Sequence, residues 1–128
     1  MKTDRKTILV VDDASLVRLY YRSILEPGGF EVKEALNGLE ALEVVLSTPV
    51  DMLIVDVNMP HMDGFTFVRS LRERELPLAS LPVLITSTES AKGDFDAARA
   101  AGANFYLVKP IAPETLMEFA AMFCGIAR

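Results

Sequence analysis

The sequence predicts an α/β fold: a three-layer, doubly wound sandwich with a five-stranded parallel sheet between five helices. Three observations predict it. Short apolar runs recur along the chain, and such runs suit strands covered on both faces. Stretches with apolar residues at helical spacing separate them, so strand and helix alternate. Turn-forming groups, Pro27-Gly28-Gly29 and Asn37-Gly38 among them, punctuate the alternation.

Residues 8–11 (Ile-Leu-Val-Val) read as a buried strand ending in Asp12-Asp13. A helix follows, with Leu16, Val17, Tyr20 and Ile24 expected on its apolar face, and Pro27-Gly28-Gly29 stops it. Residues 30–35 show partial alternation, which predicts an edge strand. Asn37-Gly38 turns into a helix expected to bury Leu39, Leu42, Val45 and Leu46, with Pro49 past its end. Residues 52–55 are the third strand, running straight into Asp56. Pro60 and Gly64 bracket a tight loop, and Asp63 is placed to cap the next helix, which carries Phe65, Val68 and Leu71. That helix runs out in Arg72-Glu73-Arg74-Glu75, read as a solvated face. Residues 76–81 form a loop flanked by two prolines, and residues 82–85 are the fourth strand, ending in Thr86-Ser87-Thr88. Phe95, Ala98 and Ala101 stripe a small-residue helix stopped at Gly102. Residues 104–108 are the fifth strand, ending in Lys109-Pro110. Pro113 suits the first turn of a last helix striped by Leu116, Phe119, Ala120 and Phe123.

A length of 128 residues fits one domain, 1–128 with a core over about 7–123, and 51% hydrophobic residues supply a substantial core. Lys plus Arg number 13 against 18 Asp plus Glu, a net charge of -5, which argues against nucleic acid and anionic membrane as partners. Cys124 is the only cysteine, so no intrachain disulfide forms, and a cytoplasmic location is expected. The amino end is polar and reads as neither a signal peptide nor a membrane span, and a stand-alone regulator is expected.

In a parallel sheet every strand's carboxyl end lies on one edge, where such folds place their ligands. That edge receives Asp12 and Asp13, then Asp56, then Thr86, Ser87 and Thr88, then Lys109. One polar strand end is unremarkable, and Asp13 or Ser87 alone reads equally well as a helix cap. Four of them on one edge make a site. Three adjacent carboxylates repel, so the protein either raises a pKa or binds a cation. Hard oxygen ligands favour Mg2+ or a similar divalent ion. Three Asp charges, the metal and Lys109 sum to zero, leaving a site that accepts a phosphoryl group with Asp56 as nucleophile. His61 is given no role.

Together these residues resemble the receiver domain of two-component response regulators, the chemotaxis-regulator type in particular. The carrying motifs are Ile8-Leu9-Val10-Val11-Asp12-Asp13 with Arg18, Asn37-Gly38-Leu39-Glu40-Ala41-Leu42, Asp56-Val57-Asn58-Met59-Pro60 with Asp63-Gly64, and Lys109-Pro110 after Gly102-Ala103. The resemblance implies Asp56 as phosphoacceptor, with Asp12, Asp13, Asp56 and the backbone carbonyl of Asn58 holding Mg2+. It implies that Lys109 and Ser87 contact the phosphoryl group and that Lys109-Pro110 is cis. The resemblance, and nothing in the spacing of the strands, also implies the flavodoxin-like sheet order 2-1-3-4-5. It further implies a phosphoprotein switch rather than an enzyme, one that catalyses only its own phosphorylation and dephosphorylation. A sensor histidine kinase or phosphotransfer protein would be its donor and a downstream protein its target, with the chain a monomer or weak dimer. Ser87 and Tyr106 would relay the signal to the face of helix four, strand five and helix five. Asn58 and Glu89 flank the expected approach of water and would gate the signal's lifetime. The chain departs from the family at Thr86, where an apolar residue is usual. Counting from Lys109 and from Pro82 favours Ser87 as the switch hydroxyl, with Thr86 the alternative.

Two other readings fit less well. A haloacid-dehalogenase-type phosphohydrolase requires a second Asp two residues past the nucleophile, and that position is Asn58. An FMN carrier requires a hydroxyl-rich phosphate loop after the first strand, where Asp12-Asp13 would repel the phosphate.

Overall fold

The computed structural model describes residues 5–88 and 92–126. Five strands, β1 (Thr7–Val11), β2 (Glu31–Ala35), β3 (Met52–Asp56), β4 (Val83–Ser87) and β5 (Phe105–Val108), form one parallel sheet in the order β2-β1-β3-β4-β5. The five helices are α1 (Ser15–Leu25), α2 (Gly38–Ser47), α3 (Gly64–Arg72), α4 (Lys92–Ala101) and α5 (Pro113–Phe123). The doubly wound sandwich is therefore as expected.

The burial of each strand follows its place. Every residue of β1, β3 and β4 is buried, as continuous apolar runs require when helices cover both faces. β2 and β5 are the edges, and their burial is broken. Side chains alternate along a strand, so each central strand feeds two cores. Leu9, Val11, Leu53, Val55, Val83 and Ile85 pack with Ala41 and Val45 of α2, Phe67, Val68 and Leu71 of α3, and Ala98 of α4. Ile8, Val10, Ile54 and Leu84 pack with Tyr21 and Leu25 of α1 and Leu116 and Ala120 of α5. Truncating one such large side chain to alanine costs about 2–5 kcal/mol.

Two helices present a different face from the one the periodicity suggested. In α1 the buried residues are Tyr21 and Leu25, while Leu16 is 77% exposed and Tyr20 lies at the surface. Apolar residues line more than half of this helix, so spacing does not single out a stripe. Tyr20 finds a different use, donating its hydroxyl to the Ile111 carbonyl at 2.5 Å. In α2 the inward residues are Gly38, Ala41 and Val45, and Leu39 and Leu46 are exposed. Small residues face inward because α2 starts close to the loop before α3. A β-carbon at Gly38 would lie 2.8 Å from Met62 Cβ. The α5 stripe is as expected at Leu116 and Ala120, with Phe119 and Phe123 half-buried.

The run after α3 also differs. Arg72 is half-buried, and its guanidinium donates to the carbonyls of Gly102, Ala79 and Leu81 and to Asn104 Oδ1. It clamps the end of α3 to the turns on either side of β4, and burial pulls its pKa down. Glu73, Arg74 and Glu75 are exposed as expected.

Candidate functional site

The three carboxylates arrive at the sheet edge from two strand ends, Asp12 and Asp13 after β1 and Asp56 at the end of β3. Asp12 follows β1 directly and is 1% exposed. Its Oδ1 accepts the Ala14 N–H at 2.9 Å, which closes the turn into α1. Arg18, one turn into α1, donates to the Asp12 carbonyl at 2.7 Å and pairs with Glu34 on β2 at 2.7 Å. Asp13 is exposed at the rim. Asp56 ends β3 and is 5% exposed. One carboxylate oxygen from each of Asp12, Asp13 and Asp56 lies within 4.8 Å of the others. Three converging hard oxygen donors fit a divalent cation such as Mg2+, which takes carboxylates plus waters.

Lys109 closes the constellation from β5. Its ammonium lies 2.9 Å from Asp12 Oδ2 and 2.9 Å from Asp56 Oδ1, bridging the two buried carboxylates. The lysine's own N–H is tied to the Ser87 carbonyl at 2.7 Å, and Lys109-Pro110 is cis, as expected. Leu76-Pro77 is also cis, which nothing in the sequence signalled.

The charges leave their mark on the titrations. Burial pushes the Asp56 carboxyl above its usual range. The Lys109 hydrogen bond opposes this, and Asp12 and Asp13 add to it by repulsion. For Lys109, burial works downward, but the hydrogen bonds to Asp56 and Asp12 prevail and the pKa is raised. Lys109 therefore stays cationic, while Asp56 is a carboxylate that resists ionisation.

The loop after β3 is held tightly around the acceptor. Val57 N–H bonds the Thr86 carbonyl at 3.0 Å, and Gly64 N–H bonds the Val57 carbonyl at 3.0 Å. A β-carbon at Gly64 would run into the Asp56 carbonyl oxygen, so the backbone approach itself demands glycine. His61 adopts a positive φ of 72° at the loop tip, where Met62 N–H returns to the Pro60 carbonyl at 2.8 Å. Asp63 caps α3 as expected, its Oδ1 accepting from Thr66 N–H at 2.8 Å. Asn58 is exposed in this loop.

Among the hydroxyls, Thr86 and Ser87 are both buried at the end of β4, and Thr88 is exposed. Tyr106 is buried, its ring 4.4 Å from that of Phe95 on α4. Glu89 lies outside the described residues. The sequence thus pointed to the acids and the lysine. It named Arg18 only as part of the first motif, with no role, and gave Gly64 only the bracketing of a tight loop with Pro60.

Comparison with known proteins agrees with this geometry. A model of the response regulator receiver domain matches residues 8–121. The chemotaxis protein CheY1 of Helicobacter pylori is 37% identical over 113 residues, covering 87% of this chain and 90% of the relative. The structure of the chemotaxis protein CheY4 of Vibrio cholerae superposes with a TM-score of 0.85 at 35% identity, covering 93% of this chain and 98% of that one. A response regulator structure from Chloroflexus aurantiacus superposes with a TM-score of 0.89 at 33% identity, covering 95% and 99%. With its acidic triad, bridging lysine and β2-β1-β3-β4-β5 sheet, the chain belongs to the response regulator receiver domain family of two-component signalling.

Proposed function

We propose that this chain is a phosphorylation-driven switch that accepts a phosphoryl group on Asp56 from a histidine kinase or phosphotransfer protein. The observation that carries this reading is Lys109, shared between Asp12 and Asp56 at 2.9 Å each beside the third carboxylate of Asp13. Asp56 Oδ attacks phosphorus, the donor's phosphorus–nitrogen bond breaks, and the imidazole leaving group keeps its electron pair and takes a proton. Lys109 turns to the incoming phosphoryl oxygens, so charge is stabilised by a group already in place. Asp12, Asp13, Asp56 and the Asn58 carbonyl would hold Mg2+, which would supply neutralisation of the phosphoryl charge. Ser87 donates to a phosphoryl oxygen and withdraws from the space beside Tyr106. The face of α4, β5 and α5 then changes its packing and regulates a partner protein. Because Tyr106 already lies inward against Phe95, the change is a repacking of that ring pair rather than a swing from solvent.

Asn58 and Glu89, two residues past Asp56 and two past Ser87, gate the water that removes the phosphoryl group, although Glu89 lies outside the described residues. Both are polar and modest in size, so they admit water and the signal is short-lived.

The test is acetyl phosphate with Mg2+, followed by intact mass. Wild type gains one phosphoryl group and Asp56→Asn gains none; equal incorporation in both rejects the acceptor. In the same assay the phosphorylated Asn58→Met/Glu89→Leu variant decays several-fold more slowly than wild type. Equal half-lives would remove these residues from any gating role.

A further inference from the structure

The acceptor reading leaves one buried hydroxyl unused. Thr86 is 0% exposed, and its Oγ1 has no hydrogen-bond partner among the described residues. Buried polar side chains in native proteins are paired, and an exception calls for an explanation. Position supplies one. Thr86 on β4 is the register partner of Asp56 on β3. Neighbours in register point to the same face of a sheet. That face is the one covered by α1 and α5, since Ile54 and Leu84, two residues back on each strand, pack there with Tyr21. Ser87 points to the opposite face, with Ile85 and its register partner Tyr106. The two hydroxyls at the end of β4 thus lie on different sides of the acceptor strand.

Tyr21 completes the arrangement. It is 2% exposed and packs in the same core as Ile54 and Leu84, and Thr86, Lys109, Asp12 and Asp56 all act on the titration of its phenol. Tyr21 and Lys109 also line one cavity of about 430 Å³, whose other walls are Thr88 and the mainly apolar Leu16, Val17, Tyr20, Pro110 and Ile111. Burial pushes the phenol up to about 12, so it stays neutral and protonated, a donor rather than a further charge.

We propose that Tyr21 and Thr86 are positioning residues for the acceptor, forming a hydroxyl relay behind Asp56 that engages when the site is loaded. Tyr21 O–H donates to Thr86 Oγ1, and the Thr86 hydroxyl donates to an Asp56 carboxyl oxygen. In loaded protein Lys109 turns toward the phosphoryl oxygens, and the relay takes over part of its hold on the carboxyl group. Thr86 is then a hydroxyl that costs stability in the unloaded chain and returns it in the loaded one. The inference rests on Asp56 being the acceptor.

Beryllofluoride with Mg2+, a phosphoryl mimic that adds to the acceptor carboxylate, tests it together with melting temperature in EDTA. The near-isosteric Thr86→Val is expected to melt in EDTA at or above the wild-type temperature, because it removes an unpaired hydroxyl. The same variant binds beryllofluoride roughly tenfold more weakly, the equivalent of one charge-assisted hydrogen bond. Thr86→Ser restores most of the affinity. Tyr21→Phe weakens binding in the same direction, and Tyr21→Phe/Thr86→Val is no weaker than Thr86→Val alone, because the two act as one relay. Wild-type affinity in Thr86→Val, or fully additive losses in the double variant, overturns the relay. So does a lowered melting temperature in EDTA with unchanged affinity, which would give Thr86 a structural role only. Asp56→Asn separates the two claims. If it still binds beryllofluoride, the acceptor itself is misassigned. If it does not, and Thr86→Val binds like wild type, only the relay fails.

Discussion

Asp56 carries opposed requirements, since it must be buried to be held and ionised to attack. Burial and repulsion by Asp12 and Asp13 raise its pKa above the unfolded value of 3.8. An acid whose folded-state pKa is raised costs stability once ionised, that is, above that folded pKa. The cost fades as pH falls through it. Asp56→Asn is therefore expected to raise the melting temperature in EDTA at neutral pH. The gain should shrink toward nothing in acid, and Lys109 keeps Asp12 as its partner in the variant. Calorimetry across pH checks this; a gain that grows as pH falls would mean the carboxyl is stabilised in its ionised form. Asp12, Asp56 and Lys109 were legible because each interrupts or directly ends an apolar run. The Thr86–Asp56 pairing was not, because it depends on strand register across thirty residues.

At the scale of elements, all five strands and five helices were legible from composition and turn chemistry, but the faces of α1 and α2 were not. A helix with apolar residues around most of its circumference has no preferred stripe until a neighbour is present. Tyr21 and Leu25 face the sheet because α5 and β5's loop occupy the side that Tyr20 and Leu16 border. Arg72 shows the same limit for charge. In a run of alternating sign it looked solvated, yet it serves four acceptors that belong to two separate turns. Arg72→Met leaves buried carbonyls unpaired and is expected to destabilise by about 2 kcal/mol. Arg72→Lys should recover little, because one ammonium does not span a planar fork's targets. Urea unfolding with an unchanged m-value measures it, and a wild-type midpoint for Arg72→Met would show the clamp to be idle.

Across the whole molecule, the proposed switch joins Asp56 to the surface of α4, β5 and α5 by way of the face of the sheet opposite Tyr21. Ser87 and Tyr106 share that side, and Phe95 of α4 packs on Tyr106. Beryllofluoride should therefore shift backbone NMR signals along α4, β5 and α5 as well as around Asp56. In Ser87→Ala the shifts should stay near the acceptor loops, because the hydroxyl that carries the displacement is gone. The same spread of shifts in both proteins would show that Ser87 is not the link. Among the described residues no helix is long and apolar enough to cross a membrane.

By itself the sequence determined the alternation of strands and helices and the acids, lysine and hydroxyls that end the strands. These are local matters, set by apolar runs, caps and turns within a few residues. The order of the strands came only through resemblance. Tertiary structure alone decided which face each helix buries, where Arg72 anchors, and that Thr86 stands beside Asp56 with Tyr21 behind it. Those outcomes depend on contacts between segments far apart in the chain. Such contacts are selected by packing and charge in the assembled sandwich, and no single segment encodes them.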